Sequence, residues 1–456
     1  MTGFEGHRRV HIVGVAGAGM SGLAKLLAQR GLQVTGSDLK PGRAFTNLEA
    51  LGVETWVGHR PERAPEWDLV VASSAVPDRD PEVEAARARG VEVWQRPRLL
   101  QEMTAGAPAL GVTGTHGKTT TAALLVAAVR ALGRDPSFMV GGELVDLNTN
   151  AHRGEPGLFI LEADEAFGTF LCLELSALVV TNIEADHLDF YGTVDRLEEA
   201  FAEVAGRVSG PVVACLDDPG ARRLADQVSD VVGYGFAVDA AWRIDGMRHL
   251  PGSVMFTLHH DGDHFEVLVP RPGAHVASNA AGVLALLGEL GLDAAAAAAG
   301  LAAFGGVRRR FEIRGQLDGV TVVDDYAHHP TAVAATVEAA RLGGGGRVVA
   351  VFQPHRFSRT AELAAAFGPA LTAADLVFVT DVYAAGEAPI PGVNGRLVAE
   401  AVAAAGGNVE YVPRRVDLAP RIAGQVTSGD VILVMGAGDV TLVAEELTAL
   451  LGERPR

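Results

Sequence analysis

Seven residues, Gly114, Thr115, His116, Gly117, Lys118, Thr119 and Thr120, follow the apolar segment Ala109-Leu-Gly-Val-Thr113 and open a helix-like stretch reaching Leu132. A glycine-rich turn between a strand and a helix leaves backbone N–H groups aimed at a bound anion, at the end of the helix where negative charge is favoured. A lysine closing such a turn reaches the β- and γ-phosphates of a nucleotide, and the hydroxyl after it suits Mg²⁺. Lys118 and Thr119 stand at those positions. The spacing is not that of the general phosphate loop: Val112 stands where its first glycine falls, and Gly111 and Gly114 supply the flexible positions. These residues imply an enzyme that consumes ATP.

Acids close the next two strand-like segments. Leu158-Phe-Ile-Leu-Glu162 runs into Ala-Asp-Glu165, and Ala177-Leu-Val-Val-Thr181 runs into Asn-Ile-Glu-Ala-Asp-His187-Leu-Asp189. Ligands of an open parallel sheet gather at the carboxyl ends of its strands. Glu162 is therefore the first choice for a magnesium ligand, directly or through water. Imidazole is an unusual ligand for so hard a cation, so composition alone makes His187 a hydrogen-bonding residue. Near the start of the chain, Gly17-Ala-Gly19-Met-Ser-Gly22 fits the glycine fingerprint for a diphosphate, with Asp38 closing the following strand. A tight glycine-packed turn is the bland alternative there.

The elements that must position these groups alternate as strand and helix in three successive segments. The first holds Val10-His-Ile-Val-Gly-Val15, a helix over 21–30, Leu32-Gln-Val-Thr-Gly36, Leu69-Val-Val71 and Val91-Glu-Val93. Thr104-Ala-Gly-Ala-Pro108 reads as a boundary. The second segment carries the phosphate loop, and within it residues 241–269 read as a peripheral antiparallel patch. A third begins near Arg309, with buried strands ending at Asp324, Phe352, Thr380 and Gly436. The pattern predicts an α/β chain of three domains, 1–104, 105–308 and 309–456: a Rossmann-like domain, a phosphate-loop ATPase-like domain and a second Rossmann-like domain.

Composition excludes several classes. The chain has 456 residues, 48% hydrophobic and 21% charged, which is globular. With 56 acids against 38 bases its net charge is −18, so nucleic acid and anionic membranes are not expected partners. The residues after Met1 show no secretory pattern, and no apolar run is long enough to span a bilayer, so a cytoplasmic location without membrane insertion is expected. Cys172 and Cys215 have no partner at metal spacing and read as buried, reduced thiols.

The motifs Gly114-Thr-His-Gly-Lys-Thr-Thr120, Glu162-Ala-Asp-Glu165, Thr181-Asn-Ile-Glu-Ala-Asp-His-Leu-Asp189 and Asp324-Asp-Tyr-Ala-His-His-Pro330 strongly resemble those of the Mur ligases of peptidoglycan synthesis, in family order from Gly14 to Gly438. The resemblance implies ATP-dependent ligation of L-alanine to UDP-N-acetylmuramate, with Mg²⁺ or Mn²⁺, in a monomer or weak homodimer. Joining a whole peptide to the same acceptor is the alternative within the family. It implies Lys118 on the ATP phosphates, Thr119 and Glu162 on the metal, and His187 on a second metal or its shell. His275 and Asn279 match an adenine-contacting pair, and Arg310 and Asp325 match residues holding the nucleotide from the third domain. His329, Arg356 and Arg359 match the region receiving L-alanine and the reacting phosphate. Substrate contacts are expected from Gly17, Ala18, Gly19, Met20, Ser21, Asp38, Ser73, Ser74 and Tyr326.

Bland readings stand beside these. Arg308-Arg-Arg310 could be a solvated charge run, and His328-His329 a loop or cap pair. Arg356 and Arg359 sit at helical spacing, so one face could present both to an anion or to water. The chain also departs from the family: Ala166-Phe167-Gly168-Thr169 stands where Ser-Asp-Gly-Ser is usual, Val276 where Asn is frequent, and Ala327 where Gly is common. Two other classes remain: a nicotinamide oxidoreductase read from Gly17 to Asp38 alone, and an NTP-binding switch.

Overall fold

A computed structural model describes the chain except residues 1–3, 5, 74, 106, 345 and 453–456. It comprises two compact units: residues 1–244, 258–265 and 278–301, and residues 245–257, 266–277 and 302–456.

The first sheet contains β1 (Arg9–Val13), β2 (Gln33–Asp38), β3 (Glu54–Val57), β4 (Leu69–Ala72) and β5 (Glu92–Gln95), all parallel, in the order β3-β2-β1-β4-β5. The order reverses at β1, and the Gly17 loop leaves its carboxyl end into the helix Ala18–Gln29. This is the switch point at which doubly wound sheets bind ligands.

The second sheet runs through β6 (Ala109–Thr113), β7 (Ser137–Leu144), β8 (Thr149–His152), β9 (Phe159–Glu162), β10 (Ala177–Val180), β11 (Val212–Cys215), β12 (Val231–Gly235), β13 (Trp242–Leu250), β14 (Ser253–His260) and β15 (Asp263–Val269). Its order is β15-β14-β13-β12-β11-β10-β6-β9-β7-β8. Residues 241–269, expected at the periphery, form β13, β14 and β15 at one edge of this sheet. Every residue of β6 is buried, as a central parallel strand covered on both faces requires. The helix Lys118–Ala131 follows it, two residues earlier than the sequence pattern suggests, because Gly117 ends the loop in left-handed backbone at φ 83°.

These two sheets share one apolar core, with Val10, Leu23 and Leu27 in the same cluster as Met139, Phe159 and Leu178. The helix Ala18–Gln29 lies on β7 and β8. A Cβ on Gly22 would come within 3.2 Å of Met139 Cγ, and Lys25 Nζ donates to Asn150 Oδ1 at 2.8 Å. Burial lowers the pKa of that ammonium.

The third sheet contains β16 (Glu312–Leu317), β17 (Val320–Asp325), β18 (Val348–Phe352), β19 (Leu376–Val379), β20 (Val409–Tyr411) and β21 (Val431–Met435), in the order β16-β17-β21-β18-β19-β20. Only the β16–β17 pair is antiparallel. The three-domain α/β architecture expected from the sequence is therefore present. Cys215 is buried as expected, but Cys172 is exposed, because it ends a short turn at the surface. Among the described residues no helix is long and apolar enough to cross a membrane.

Candidate active site

The phosphate loop is built around a buried ion pair. Lys118 Nζ donates to both carboxylate oxygens of Glu165, at 2.8 and 2.7 Å, and to the Gly114 carbonyl at 2.7 Å; Asp164 Oδ1 is 3.6 Å away. Burial alone would depress the ammonium's pKa. Glu165, Asp164 and Glu162 more than offset it, so Lys118 is raised above its ordinary value and stays charged. The loop is tied to the end of β10: Thr115 N donates to Asn182 O at 3.0 Å, His116 N to Asn182 Oδ1 at 2.8 Å, and Thr181 Oγ1 to His116 O at 2.6 Å. Asn279 packs against Gly117, with Oδ1 3.0 Å from where a Cβ there would stand.

Glu162 ends β9 and accepts from Gly141 N on β7 at 2.5 Å. A Cβ on Gly141 would lie 2.8 Å from Glu162 Oε2 and 3.1 Å from Thr119 Oγ1. The fold therefore brings the expected carboxylate and hydroxyl ligands to one point, and the absence of a side chain at 141 leaves room between them. A pair of hard oxygen donors beside a phosphate loop fits Mg²⁺. His187 caps the short helix Leu188–Tyr191 from left-handed backbone at φ 56°, with Nε2 3.9 Å from Glu165 Oε1. Tyr191 donates its hydroxyl to the Glu165 carbonyl at 2.6 Å.

The N-terminal loop opens on a cavity of about 420 Å³ lined by Gly14, Gly17, Asp38, His59, Ser73 and Arg79, among others. Asp38 Oδ2 accepts from Ala16 N at 3.0 Å and so holds the loop. Met20 is 2% exposed and belongs to the core. Ser21 is buried in the first turn of the helix, where its N–H donates to the Gly17 carbonyl at 2.8 Å. Ser74 and the side chain of Ala18 lie outside the described residues. Gly19 is explained by a neighbour far along the chain: a Cβ there would stand 2.9 Å from Arg96 Cζ, which places a guanidinium at the amino end of this helix. Beneath the cavity His11 is stacked between Trp56 and Trp67, at 5.0 and 4.0 Å, and meets the buried Glu82 at 3.4 Å. Burial would raise Glu82, but His11, Ser37 and the Arg60 N–H hold it down at about 2.

In the second unit Arg309 and Arg310 lie over the Tyr326 ring, at 5.0 and 4.8 Å, so they are not a solvated charge run. Asp325, expected to hold nucleotide, spends its oxygens on Phe311 N and Ala327 N, both at 2.7 Å, and fixes the backbone that carries Arg310 and Tyr326. His329 is buried immediately before the helix Pro330–Leu342. Arg356 precedes the helix Phe357–Leu371 in positive-φ backbone, so it does not share a helical face with Arg359; its Nε donates to Glu387 at 2.6 Å. His275 packs on Gly273, and burial lowers its pKa to about 4.

His328 is also depressed, to about 3, by burial and then by Arg359. Both folded rings refuse a proton that the unfolded chain accepts below about pH 6.5. Stability is complete above that pH and declines as pH falls toward 4, by up to about 1.4 kcal/mol per pH unit for each ring. The thermal midpoint should therefore drop between pH 7 and pH 5, and less steeply in His328→Gln. An unchanged slope in that variant would remove His328 from this account.

Sequence reasoning gave Glu162 precedence and did not assign Glu165, Gly141, Arg96 or Tyr191. Glu165 carried a signal, as the last acid of Glu162-Ala-Asp-Glu165. Gly141 and Arg96 carried none, because both act through contacts made by distant segments.

Residues 9–107 match the "Mur ligase family, catalytic domain" profile, 112–287 the "Mur ligase middle domain" and 309–438 the "Mur ligase, glutamate ligase domain". The UDP-N-acetylmuramate–L-alanine ligase of Mycolicibacterium vanbaalenii is 46% identical over 97% of this chain and 96% of its own length. That of Saccharopolyspora erythraea is 45% identical over 97% and 93%. Among solved structures, the UDP-N-acetylmuramate–alanine ligase of Thermotoga maritima superposes with a TM-score of 0.84 at 28% identity, covering 97% of this chain and 98% of that one. A murein peptide ligase of Psychrobacter arcticus shares the fold, with a TM-score of 0.71 at 24% identity over 98% and 100%. With its phosphate loop, its acid-lined strand ends and its third sheet all matched in order, this chain belongs to the Mur ligase family.

Proposed function

We propose that this chain joins L-alanine to the lactyl carboxylate of UDP-N-acetylmuramate, converting ATP to ADP and phosphate, as a step of peptidoglycan precursor synthesis in the cytoplasm. The observation that carries the reading is the meeting of Lys118, Thr119 and Glu162 at the ends of β6 and β9, in a chain nearly half identical over its length to ligases of that name. The domains are 1–104 for the UDP substrate, 105–308 for ATP and 309–456 for the amino acid and closure over ATP. A monomer or weak homodimer suffices.

A carboxylate is a poor electrophile. One of its oxygens attacks the γ-phosphorus, the bond to ADP breaks, and the acyl phosphate carries a good leaving group. The amine of L-alanine, its ammonium proton given to solvent, adds to the carbonyl carbon; the tetrahedral intermediate then expels phosphate with the C–O electron pair, and a second N–H proton leaves to solvent or phosphate to give the amide. Lys118 holds the transferring phosphoryl group, after exchanging Glu165 for phosphate oxygens, and the loop N–H groups cradle its neighbours. Thr119 and Glu162, with His187 alongside, would hold Mg²⁺, which neutralises phosphate charge when bound. His275 and Asn279 serve the adenine, and Arg310, on backbone fixed by Asp325, serves the nucleotide from the third domain. His329, Arg356 and Arg359 serve the amino acid and the reacting phosphate. Gly17, Asp38 and Ser73 line the UDP site, with Gly19 behind them, and Tyr326 serves substrate beside His329, Arg356 and Arg359.

Phosphate release measured with each substrate omitted in turn tests this. Release should require ATP, UDP-N-acetylmuramate and L-alanine together. Equal or faster release with a tripeptide in place of L-alanine would favour the recycling reaction, and release indifferent to both co-substrates would make the protein an NTPase switch.

A further inference from the structure

The turn after Glu165 presents an aromatic ring to solvent at a site where ligands gather. Phe167 is 67% exposed and sits at φ 54°, ψ 25°, followed by Gly168 at φ 64°. Two successive residues in left-handed backbone are unfavourable when the first is a bulky aromatic, and such conformations persist only where the surroundings impose them. Three hydrogen bonds do so here: Gly168 N to the Glu165 carbonyl at 2.9 Å, Tyr191 Oη to that same carbonyl at 2.6 Å, and Thr169 Oγ1 to the Ala166 carbonyl at 3.0 Å. The Phe167 ring meets Phe190, itself 50% exposed, edge to face at 6.2 Å, and Phe190 meets Tyr191 at 4.9 Å. A Cβ on Gly168 would stand 3.3 Å from the Phe190 ring, so this glycine lets the two turns close on one another.

Both rings sit on turns that lead from residues at the reacting end of the phosphate loop. Phe167 is two residues beyond Glu165, which grips Lys118 Nζ. Phe190 N donates to the His187 carbonyl at 2.9 Å, and His187 faces Glu165. Lys118 marks the phosphoryl group being transferred, and adenine lies at the opposite end of the triphosphate. The group next to the transferred phosphoryl is the carboxylate substrate, whose carboxyl is attached through a short ether arm to a pyranose. That ring has an apolar C–H face. Ala166 and Phe167 carry no charge, so this wall suits a neutral amphipathic ring and not a zwitterionic amino acid or a further phosphate.

We propose that Phe167, braced by Phe190, forms an apolar subsite for the pyranose of the carboxylate substrate. It orients the carboxyl toward the phosphoryl group and acts by binding. The inference rests on the function proposed above.

Calorimetric titration of UDP-N-acetylmuramate and of UDP into the full chain, with magnesium and a non-hydrolysable ATP analogue present, tests it. Phe167→Asn removes the ring and keeps a side chain that tolerates left-handed backbone. It should weaken UDP-N-acetylmuramate roughly 10-fold, the effect of one aromatic contact, while UDP and the ATP analogue bind as to wild type. Phe167→Tyr, which retains the ring, should stay within about 2-fold of wild type. Unchanged sugar-nucleotide affinity in Phe167→Asn overturns the subsite. So does an equal loss for UDP alone, which would show the ring acting through the fold. Wild-type protein that fails to bind UDP-N-acetylmuramate at all would instead overturn the proposed function, and the subsite with it.

Discussion

Replacing Lys118 with methionine should lower ATP-dependent phosphate release by at least about 10²–10³-fold, the usual cost of deleting one preorganised charge donor at a developing oxyanion. It should also destabilise the protein, and the two effects can be separated. Glu165 is 1% exposed, and Lys118 is the cation within hydrogen-bonding distance of both its oxygens. Deleting the ammonium strands a buried carboxylate, which typically costs about 3–5 kcal/mol. Adding Glu165→Gln removes that stranded charge, so the double variant should regain most of the lost stability in chemical denaturation while remaining inactive. Stability that stays low in the double variant would mean the pair is not the source. Near-normal turnover in the single variant would sink the assignment of the loop.

Gly141→Ala is expected to injure the reaction without injuring the fold. Gly141 is exposed, and its backbone is not in the left-handed region, so alanine fits the strand. The added methyl would press on Glu162 Oε2 at 2.8 Å and Thr119 Oγ1 at 3.1 Å. It needs space between the two proposed ligands. Displacing or misorienting such ligands ordinarily costs about 10–100-fold in metal affinity. The Mg²⁺ concentration giving half-maximal phosphate release should rise by that factor, with the unfolding midpoint little changed and the rate recovering at high Mg²⁺. A magnesium dependence identical to wild type would separate Gly141, Thr119 and Glu162 from the metal.

Much of this site was legible in the sequence because its parts are local. The loop from Gly114 to Thr120 announces itself by composition and by its place between β6 and a helix, and Glu162 by closing the apolar run that becomes β9, the strand paired with β6. The three sheets follow from apolar runs whose periodicity survives in isolation. What was not legible depends on which segments meet. Glu165 became the partner of Lys118 because the chain turns sharply after Asp164, and nothing in the four-residue motif distinguishes its acids. Met20 and Ser21 looked like substrate contacts because they lie in a glycine fingerprint. Helix geometry buries both, Met20 in the core and Ser21 in the first turn. Arg356 and Arg359 shared a helical spacing, but the helix begins one residue too late to use it. Arg96 approaches Gly19 across 77 positions of chain, a distance over which no local pattern carries information.

The seating of the helix Ala18–Gln29 on β7 and β8 bears on how this protein can be taken apart. The helix carries the glycine loop of the N-terminal cavity at its amino end, and the strand it leans on carries Gly141 between Glu162 and Thr119. The first hundred residues are therefore not a detachable cassette. A fragment ending at 104 would bare Leu23 and Leu27 and leave Lys25 without Asn150; a fragment starting at 105 would uncover Met139 and Ala151. Swapping this portion with that of another ligase would have to carry β7 and β8 along, or recut both faces of the seam.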